Sequence, residues 1–169
     1  RDRIPNPAIH SDIIVGFPGE TEEQFMGTYD LLAELKLDKA HLARYSPRPN
    51  TTSARKYEDD VPEEEKKRRL QALDDLMAGI SAEINTSYLD TTQEVLVEEE
   101  HKNKWKGRTR TNKLVFFEDA RHRKGDLVDV QITYTGPWSM QGVATDLPKA
   151  VPNDLINPFE VGNMLSIAS

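Results

Sequence analysis

The sequence predicts an α/β unit, consisting of a strand-helix-strand element and a long helix, followed by a small antiparallel β-barrel. A short β-branched run at residues 12–17, closed by Pro18 and Gly19, has the pattern of a strand buried in a parallel sheet. Residues 62–85 carry apolar side chains at steps of three and four, which is the helical period. Residues 128–134 alternate between apolar and polar side chains, which indicates a half-buried antiparallel strand.

Composition limits the class of protein. A chain of 169 residues with 37% hydrophobic and 30% charged content fits one or two small domains. The sequence supports neither a membrane span nor a signal peptide, so the cytoplasm is the expected compartment. It has no cysteine, and its four histidines lack i, i+4 spacing, so no metal site is expected within it. The net charge of −7 argues against a protein that coats nucleic acid with its whole surface.

A capped helix links the first two predicted strands. Thr21 and Gln24 stand at the two ends of a capping box, which starts a helix. Apolar residues at helical spacing extend this helix to about Lys36. A second strand is predicted at residues 40–45, and because a helical crossover joins parallel strands, the two strands should pair in parallel.

The long helix begins with a run of charges. Pro62 suits its first position, and an acid-first, base-second order over residues 63–69 complements the helix dipole. This charge run is predicted to be a solvated face, while an apolar stripe that starts at Leu70 and continues through Ile84 packs against the rest of the fold. The spacing also predicts three i, i+4 ion pairs, Glu63 with Lys67, Glu64 with Arg68 and Glu65 with Arg69.

The last predicted unit is built from short strands. Strand patterns at residues 95–97, 114–117, 128–134 and 140–144 are separated by Gly107, Gly125 and the Gly136-Pro137 pair. Four or five short strands within about 55 residues are typical of a small closed β-barrel. Such OB-like barrels commonly bind single-stranded nucleic acid across one face.

Two loops after the predicted parallel strands are candidate ligand sites, because the C-terminal ends of such strands form the functional face of a βα fold. The loop after the second strand offers Arg44 and Arg48, which suit a carboxylate or phosphate. Each loop also has a simpler interpretation, as a turn or as solvated surface. The loop after the first strand contains two glycines that allow close backbone approach, and its candidate residues are Gly16, Phe17, Pro18, Gly19 and Glu20.

A basic stretch in the barrel is a candidate RNA-binding surface. Its cations would attract phosphates, and its indole, amide and hydroxyl groups suit bases and sugars. The alternative is a solubilising hairpin whose tryptophan covers the end of the barrel. The candidate residues are Lys102, Lys104, Trp105, Lys106, Arg108, Arg110, Asn112 and Lys113.

Four motifs in a fixed order resemble one enzyme family. They lie at residues 12–25, 45–51, 107–113 and 125–130, and the likeness covers about residues 9–145. Together they resemble the tRNA 2-methylthioadenosine synthases, which are radical S-adenosylmethionine (SAM) methylthiotransferases. The resemblance implies that residues 1–90 are the C-terminal part of a radical SAM (β/α) barrel, a partial barrel remnant. It further implies that residues 92–147 form a TRAM RNA-binding barrel and that residues 148–169 are an extended or disordered tail.

The resemblance also implies a reaction. Such enzymes methylthiolate C2 of an isopentenylated adenosine beside the anticodon, with SAM and two iron-sulfur clusters as cofactors and the tRNA anticodon stem-loop as partner. The glycine loop, Arg44 and Arg48 would border the SAM and substrate cavity. The cluster cysteines of the family are absent from this sequence, so the chain alone should be inactive, and no catalytic or metal-ligating residue is assigned within it.

The sequence is also compatible with two other functions. One is a nonenzymatic RNA-binding module, and the other is the sibling enzyme that methylthiolates a ribosomal-protein aspartate. The residues at 45–49 and 107–113 resemble the tRNA enzymes more than that sibling, which favours an RNA substrate. An incomplete barrel would leave a sheet edge exposed, which predicts dimerisation or strand swapping through that edge.

Overall fold

The computed structural model of the chain describes residues 3–4 and 7–145. The tail predicted for residues 148–169 lies outside these residues. The chain divides into two compact units. The first runs to Ser87 and includes Gly136–Trp138, and the second comprises Tyr88–Thr135 and continues from Ser139. Among the described residues, no helix combines the length and the apolar character needed to cross a membrane.

The first unit contains the predicted strand-helix-strand element. Its members are β1 (His10–Val15), α1 (Glu22–Leu35) and β2 (Lys39–Arg44). β1 and β2 pair in parallel, as the crossover requires, with Ile13 opposite Leu42. Since β1 ends at Val15, the loop that follows begins with Gly16.

Local signals determine where α1 begins and ends. The Thr21 hydroxyl accepts a hydrogen bond from the Gln24 amide at 3.2 Å, and the Gln24 side chain accepts one from the Thr21 amide at 3.0 Å. This is the predicted capping box, which satisfies two amides at the helix start. At the other end Lys36 adopts a left-handed conformation, with φ of 45°, and its amide donates to the Leu32 carbonyl.

Two further helices complete the first unit. A short helix α2 (Thr52–Lys56), absent from the prediction, is capped by the Thr51 hydroxyl. The long helix α3 (Glu63–Thr86) matches the predicted bounds within two residues. Side chains from the strands, α1 and α3 form one core cluster, whose buried members are Val15, Phe25, Leu32, Leu37 and Leu73.

The predicted solvated face of α3 is wrong at two positions. Lys66 and Arg69 are only 2% and 4% exposed. The reason is periodicity, because steps of three and four carry the apolar stripe back from Leu73 to these two residues. One predicted i, i+4 pair forms, with 2.7 Å between Arg69 Nε and Glu65 Oε1. The other charges pair differently, Lys67 with Glu64, Arg68 with Glu65 and Glu22, and Glu63 with Arg44.

The second unit is a closed five-stranded barrel. Its strands are β3 (Thr92–His101), β4 (Lys104–Thr109), β5 (Leu114–Glu118), β6 (Leu127–Thr135) and β7 (Met140–Ala144). They follow the order β3-β4-β5-β7-β6, and β6 closes the barrel on β3. The prediction of a purely antiparallel barrel is wrong, because β5 and β7 pair in parallel. An odd number of strands cannot alternate in direction all the way round, so closure requires one parallel pair.

Gly107 lies inside β4 and does not separate two strands as predicted. A Cβ atom at this position would lie 2.4 Å from the Leu96 carbonyl oxygen and 2.6 Å from Val95 Cγ1. The glycine therefore permits close approach of β3 and β4. The barrel core consists of Val95, Val97, Trp105, Val115, Phe117, Val128, Val130, Ile132 and Met140.

Candidate functional site

The two candidate loops of the first unit lie side by side because β1 and β2 are parallel. The Tyr45 amide donates to the Val15 carbonyl at 2.8 Å, so the pairing continues into the loops. The rings of Phe17 and Tyr45 meet edge to face, with 5.1 Å between centroids. The ring of Tyr57 also lies near that of Phe17, with 6.1 Å between their centroids. These contacts bring the residues that follow both strands onto one surface.

Glu20 acts as an anchor for the first loop. Its Oε2 accepts hydrogen bonds from the Gly16 amide at 2.6 Å and from Arg69 Nη1 at 2.7 Å. Arg69 Nη1 also donates to the Glu20 carbonyl at 3.0 Å. The Glu20 side chain is only 14% exposed. The Glu20 carboxylate thus binds the backbone of its own loop and Arg69, and it stabilises the conformation of that loop.

Lys66 contacts both loops. Its Nζ donates to both carboxylate oxygens of Asp59, at 2.5 and 2.7 Å, and lies 5.4 Å from the centroid of the Tyr45 ring. Its stem fills the space beside Gly16, where a Cβ atom would come within 2.3 Å of Lys66 Cγ. Gly16 also has φ of 71°, in the left-handed region. The sequence therefore needs glycine at this position for two independent reasons.

Hydrogen bonds shift the pKa values of Arg69 and of its partner Glu65. Hydrogen bonds from Arg68, opposed by burial and reinforced by Arg69, lower the pKa of the Glu65 carboxyl to about 2. Burial disfavours the charged form of Arg69, but hydrogen bonds to Glu20 and Glu65 outweigh it and raise the pKa of its guanidinium. Glu65 and Arg69 are therefore both charged at neutral pH, which maintains the ion pair between them.

Two concavities open at the strand ends, and Arg44, Tyr45 and Ser46 line both. One, of about 300 Å³, is polar and also contains Asp59 and Lys66. The other, of about 320 Å³, adds Phe17, Arg48 and small hydroxyl residues. Arg44 forms an ion pair with Glu63. The second concavity thus offers a guanidinium, hydroxyls and an aromatic ring, which can bind an acidic or aromatic ligand.

No cluster of three or more metal-ligating side chains occurs in the part of the chain that the structure describes. The sequence contains no cysteine.

The candidate RNA-binding stretch lies on β4 and its two flanking turns. The strand alternates, so Lys104, Lys106 and Arg108 are partly exposed while the residues between them face the core. Lys102 belongs to the β3–β4 turn, where it and Asn103 have φ of 50° and 63°. A two-residue turn with positive φ at both positions matches the twist of a hairpin. The cations of β4 therefore form a row along the outside of the barrel.

Acidic residues of neighbouring strands neutralise this row. Glu99 on β3 pairs with Lys106 at 2.6 Å, and Glu118 on β5 lies 3.4 Å from Lys104 Nζ. The sequence showed no acid within the basic stretch, but strand pairing brings acids beside it. Two further pairs join the arginines to β3, Arg108 with Glu98 at 3.6 Å and Arg110 with Glu94 at 2.6 Å.

Trp105 points into the barrel. It is 7% exposed and belongs to the core, and its indole N–H donates to the Asp119 carbonyl at 3.1 Å. Its ring meets His122 edge to face at 5.4 Å. In this conformation the indole covers core residues, which is the alternative role that the sequence left open. Lys113 is also mostly buried, at 8% exposure.

The β4–β5 turn presents the remaining candidates. Arg110 is 82% exposed at its side chain, and Asn112 is exposed with φ of 60°. The Thr109 hydroxyl accepts from the Lys113 amide at 3.1 Å, and Arg108 Nη1 donates to the Asn112 carbonyl at 3.2 Å. These bonds hold the turn so that its exposed polar groups face outward.

The loop between β5 and β6 holds an ion-pair cluster that is absent from the sequence-based predictions. Asp119 accepts from Arg121 and Arg123, and Arg123 is fully buried. A hydrogen bond from Arg121 lowers the pKa of the Asp119 carboxyl well below its usual range. Because the Asp119 carbonyl also accepts from Trp105, this cluster fixes the loop against the core. The spacing of opposite charges at i, i+4 between Asp119 and Arg123 is the signal that could have revealed it.

The sequence is similar to one known domain family and to several curated proteins. Residues 86–145 match the TRAM domain. The chain is 51% identical over 146 residues to the tRNA-2-methylthio-N(6)-dimethylallyladenosine synthase of Roseiflexus sp. (strain RS-1), which covers 85% of this chain and 31% of that protein. The synthase of the same name from Dehalococcoides mccartyi (strain CBDB1) is 49% identical over 138 residues, covering 82% of this chain and 33% of that protein. A third, from Halalkalibacterium halodurans, is 45% identical over 147 residues, 85% of this chain and 27% of that protein.

The chain thus spans about a third of the length of the curated relatives that it matches. These identities confirm the resemblance that the four sequence motifs indicate. The chain carries a TRAM domain and, over 82–85% of its length, is similar to one part of proteins named tRNA-2-methylthio-N(6)-dimethylallyladenosine synthase.

Proposed function

We propose that the chain is the C-terminal part of a tRNA-modifying enzyme that methylthiolates C2 of an isopentenylated adenosine beside the anticodon. The observation that carries the proposal is the 51% identity over 146 residues to a synthase with this activity in its name. The β1–α1–β2 element with α3 would be the end of a radical SAM (β/α) barrel, within residues 1–90. Residues 92–147 would be the RNA-holding module.

The role proposed for the TRAM unit is to hold the anticodon stem-loop. The cation row of β4, with Lys102 and the exposed Arg110 and Asn112 of the turns, presents donors for phosphate and sugar oxygens. The glutamates of β3 and β5 would have to release Lys104, Lys106 and both arginines. Because each phosphate contact would replace an existing ion pair, the affinity gained from charge is limited. An RNA that positions its phosphates along the row is therefore favoured.

The side chains of the two loops that follow β1 and β2 suit SAM chemically. SAM carries a carboxylate and an adenine, and the second concavity offers Arg44, Arg48 and the partly exposed Phe17 ring. Gly16, Pro18 and Gly19 would shape the wall, while Glu20 holds it in place from within. When bound, SAM supplies the methyl group and the radical. The chain's own task there is to orient SAM and exclude water.

The iron-sulfur clusters would be held by other parts of the longer enzyme, because the sequence contains no cysteine. The chain alone should therefore bind tRNA without modifying it. Pairing with a second copy through an edge of the two-stranded sheet β1-β2 is a further expectation for the isolated chain, and sedimentation at high concentration tests it.

The test of the RNA-holding role is fluorescence anisotropy with a labelled anticodon stem-loop over a salt series. The whole chain should bind at low salt, and log Kd should rise linearly with log salt concentration. The double variant Arg108→Ala, Arg110→Ala should weaken binding and reduce the slope by about two, one for each phosphate that is no longer neutralised. Arg55→Ala in α2 is the matched control, because it removes an arginine from the other unit. Absence of binding at low salt, or an unchanged slope in the double variant, would contradict the role.

A further inference from the structure

The outer face of the TRAM barrel holds an aromatic residue that the core does not use. On β5, Val115 and Phe117 belong to the core, so the alternation of the strand puts Phe116 on the outside. Strand pairing places Phe116 between Lys106 of β4 and Gln141 of β7. Phe116 is partly exposed.

A second ring lies beside it. His101, at the end of β3, is exposed, and its ring lies 6.2 Å from that of Phe116 between centroids, with an angle of 50° between the planes. His101 pairs with Lys104 across the hairpin. The two rings thus form an aromatic patch, defined as His101 and Phe116, bordered by Lys104 and Lys106.

This patch differs from the cations around it in how it can bind RNA. Lys106 is engaged by Glu99 at 2.6 Å and Lys104 lies 3.4 Å from Glu118, so phosphates must displace carboxylates to reach them. A base that stacks on a ring does not have to displace a carboxylate, and stacking of a base on an aromatic ring is insensitive to which base it is. Trp105, the aromatic residue that the sequence favoured for stacking, lies in the core.

We infer that the aromatic patch of His101 and Phe116 is the stacking surface for an unpaired nucleobase of the bound RNA, with Lys104 and Lys106 beside the flanking phosphates. The inference rests on the proposed RNA-holding function and adds the residues that receive a base. Single-stranded RNA is the occupant that fits, because β4, which carries both lysines, lies between the strands that carry the two rings, so that one RNA strand can contact both.

The test uses the whole chain and an anticodon stem-loop RNA with 2-aminopurine in its loop, whose fluorescence is quenched on stacking. Phe116→Leu keeps an apolar side chain but removes the ring, and it should weaken binding about five- to a hundredfold and abolish the quenching. The salt slope should not change, because every cation that meets a phosphate is still present. Phe116→Trp should retain both affinity and quenching.

Val143→Ala is the matched control, because Val143 is an exposed apolar residue on the outer face of the neighbouring strand β7. It should leave affinity within about twofold. Binding with a normal salt slope but with equal affinity for wild type and Phe116→Leu would overturn this inference and leave the proposed function intact. A wild-type chain that does not bind the RNA would overturn both. Loss of binding by Phe116→Trp as large as that of Phe116→Leu would also contradict stacking.

Discussion

Replacing Gly16 with alanine tests how Lys66 supports the strand-end loops. The new Cβ atom would lie 2.3 Å from Lys66 Cγ, in the middle of a side chain that is 2% exposed and tied to Asp59. Overpacking of this kind costs about 1–3 kcal/mol. The left-handed backbone, with φ of 71°, adds about 1–2 kcal/mol for any residue with a Cβ atom. Gly16→Ala should therefore lower the free energy of unfolding of the first unit by about 2–5 kcal/mol.

Two other glycines separate these contributions. Gly19 has φ of 78° but no atom within 4 Å of its added Cβ, so Gly19→Ala should show only the backbone cost of about 1–2 kcal/mol. Gly79 lies inside α3 with the same free space, so Gly79→Ala should stabilise by about 0.5–1 kcal/mol. The gain from restricting the unfolded chain is common to all three and cancels in the differences.

The assay is urea denaturation followed by circular dichroism at 222 nm. Helices α1, α2 and α3 all precede Ser87, so the helical signal of the described chain reports the first unit. The expected order of stability is Gly79→Ala, wild type, Gly19→Ala and Gly16→Ala. Equal losses in Gly16→Ala and Gly19→Ala would refute the claim that the Lys66 stem fills this space.

Three further outcomes are expected. Gly107→Ala should destabilise the barrel by about 1–3 kcal/mol, because its Cβ atom would meet the Leu96 carbonyl. Trp105 fluorescence should report the shifted unfolding transition. An unshifted midpoint would argue against close β3–β4 contact. Glu99→Gln should strengthen RNA binding in the anisotropy assay by freeing Lys106, whereas weaker binding would mean that Lys106 needs its carboxylate partner. Because Glu65 has a pKa of about 2 in the folded chain against an ordinary 4.5, its contribution to stability is present above pH 4.5 and is lost as pH falls towards 2. Glu65→Gln should flatten this part of the acid unfolding curve, and a curve parallel to wild type would contradict the assignment.

Local signals in the sequence predicted much of the first unit. The capping box at Thr21, the crossover between β1 and β2 and the apolar stripe of α3 each depend on residues within a few positions of one another. The burial of Lys66 departs from the prediction, because a charged side chain by itself predicts solvent exposure. Its position one step of four before Leu70 was the contrary signal, since the period of a helix places both on one face.

Contacts between the strands of the barrel cannot be predicted from such local signals. Alternation identified its strands, but the parallel β5–β7 pair follows from closure by an odd number of strands, which no single strand reveals. The acids beside the cations of β4 lie on other strands, so the basic stretch looked more positive in sequence than it is in the fold. Whether Trp105 or Phe116 faces outward depends on the register of each strand, which is decided by long-range pairing.

The proposal that the chain is part of an enzyme that methylthiolates tRNA can be tested in cells. The decisive measurement is mass spectrometry of nucleosides from bulk tRNA, before and after deletion of the gene that encodes this chain. The expected result is loss of the 2-methylthio-N6-dimethylallyladenosine signal, accumulation of the nucleoside without the methylthio group, and restoration by the complete gene. An undiminished 2-methylthio signal in the deletion strain would show that the proposal is wrong.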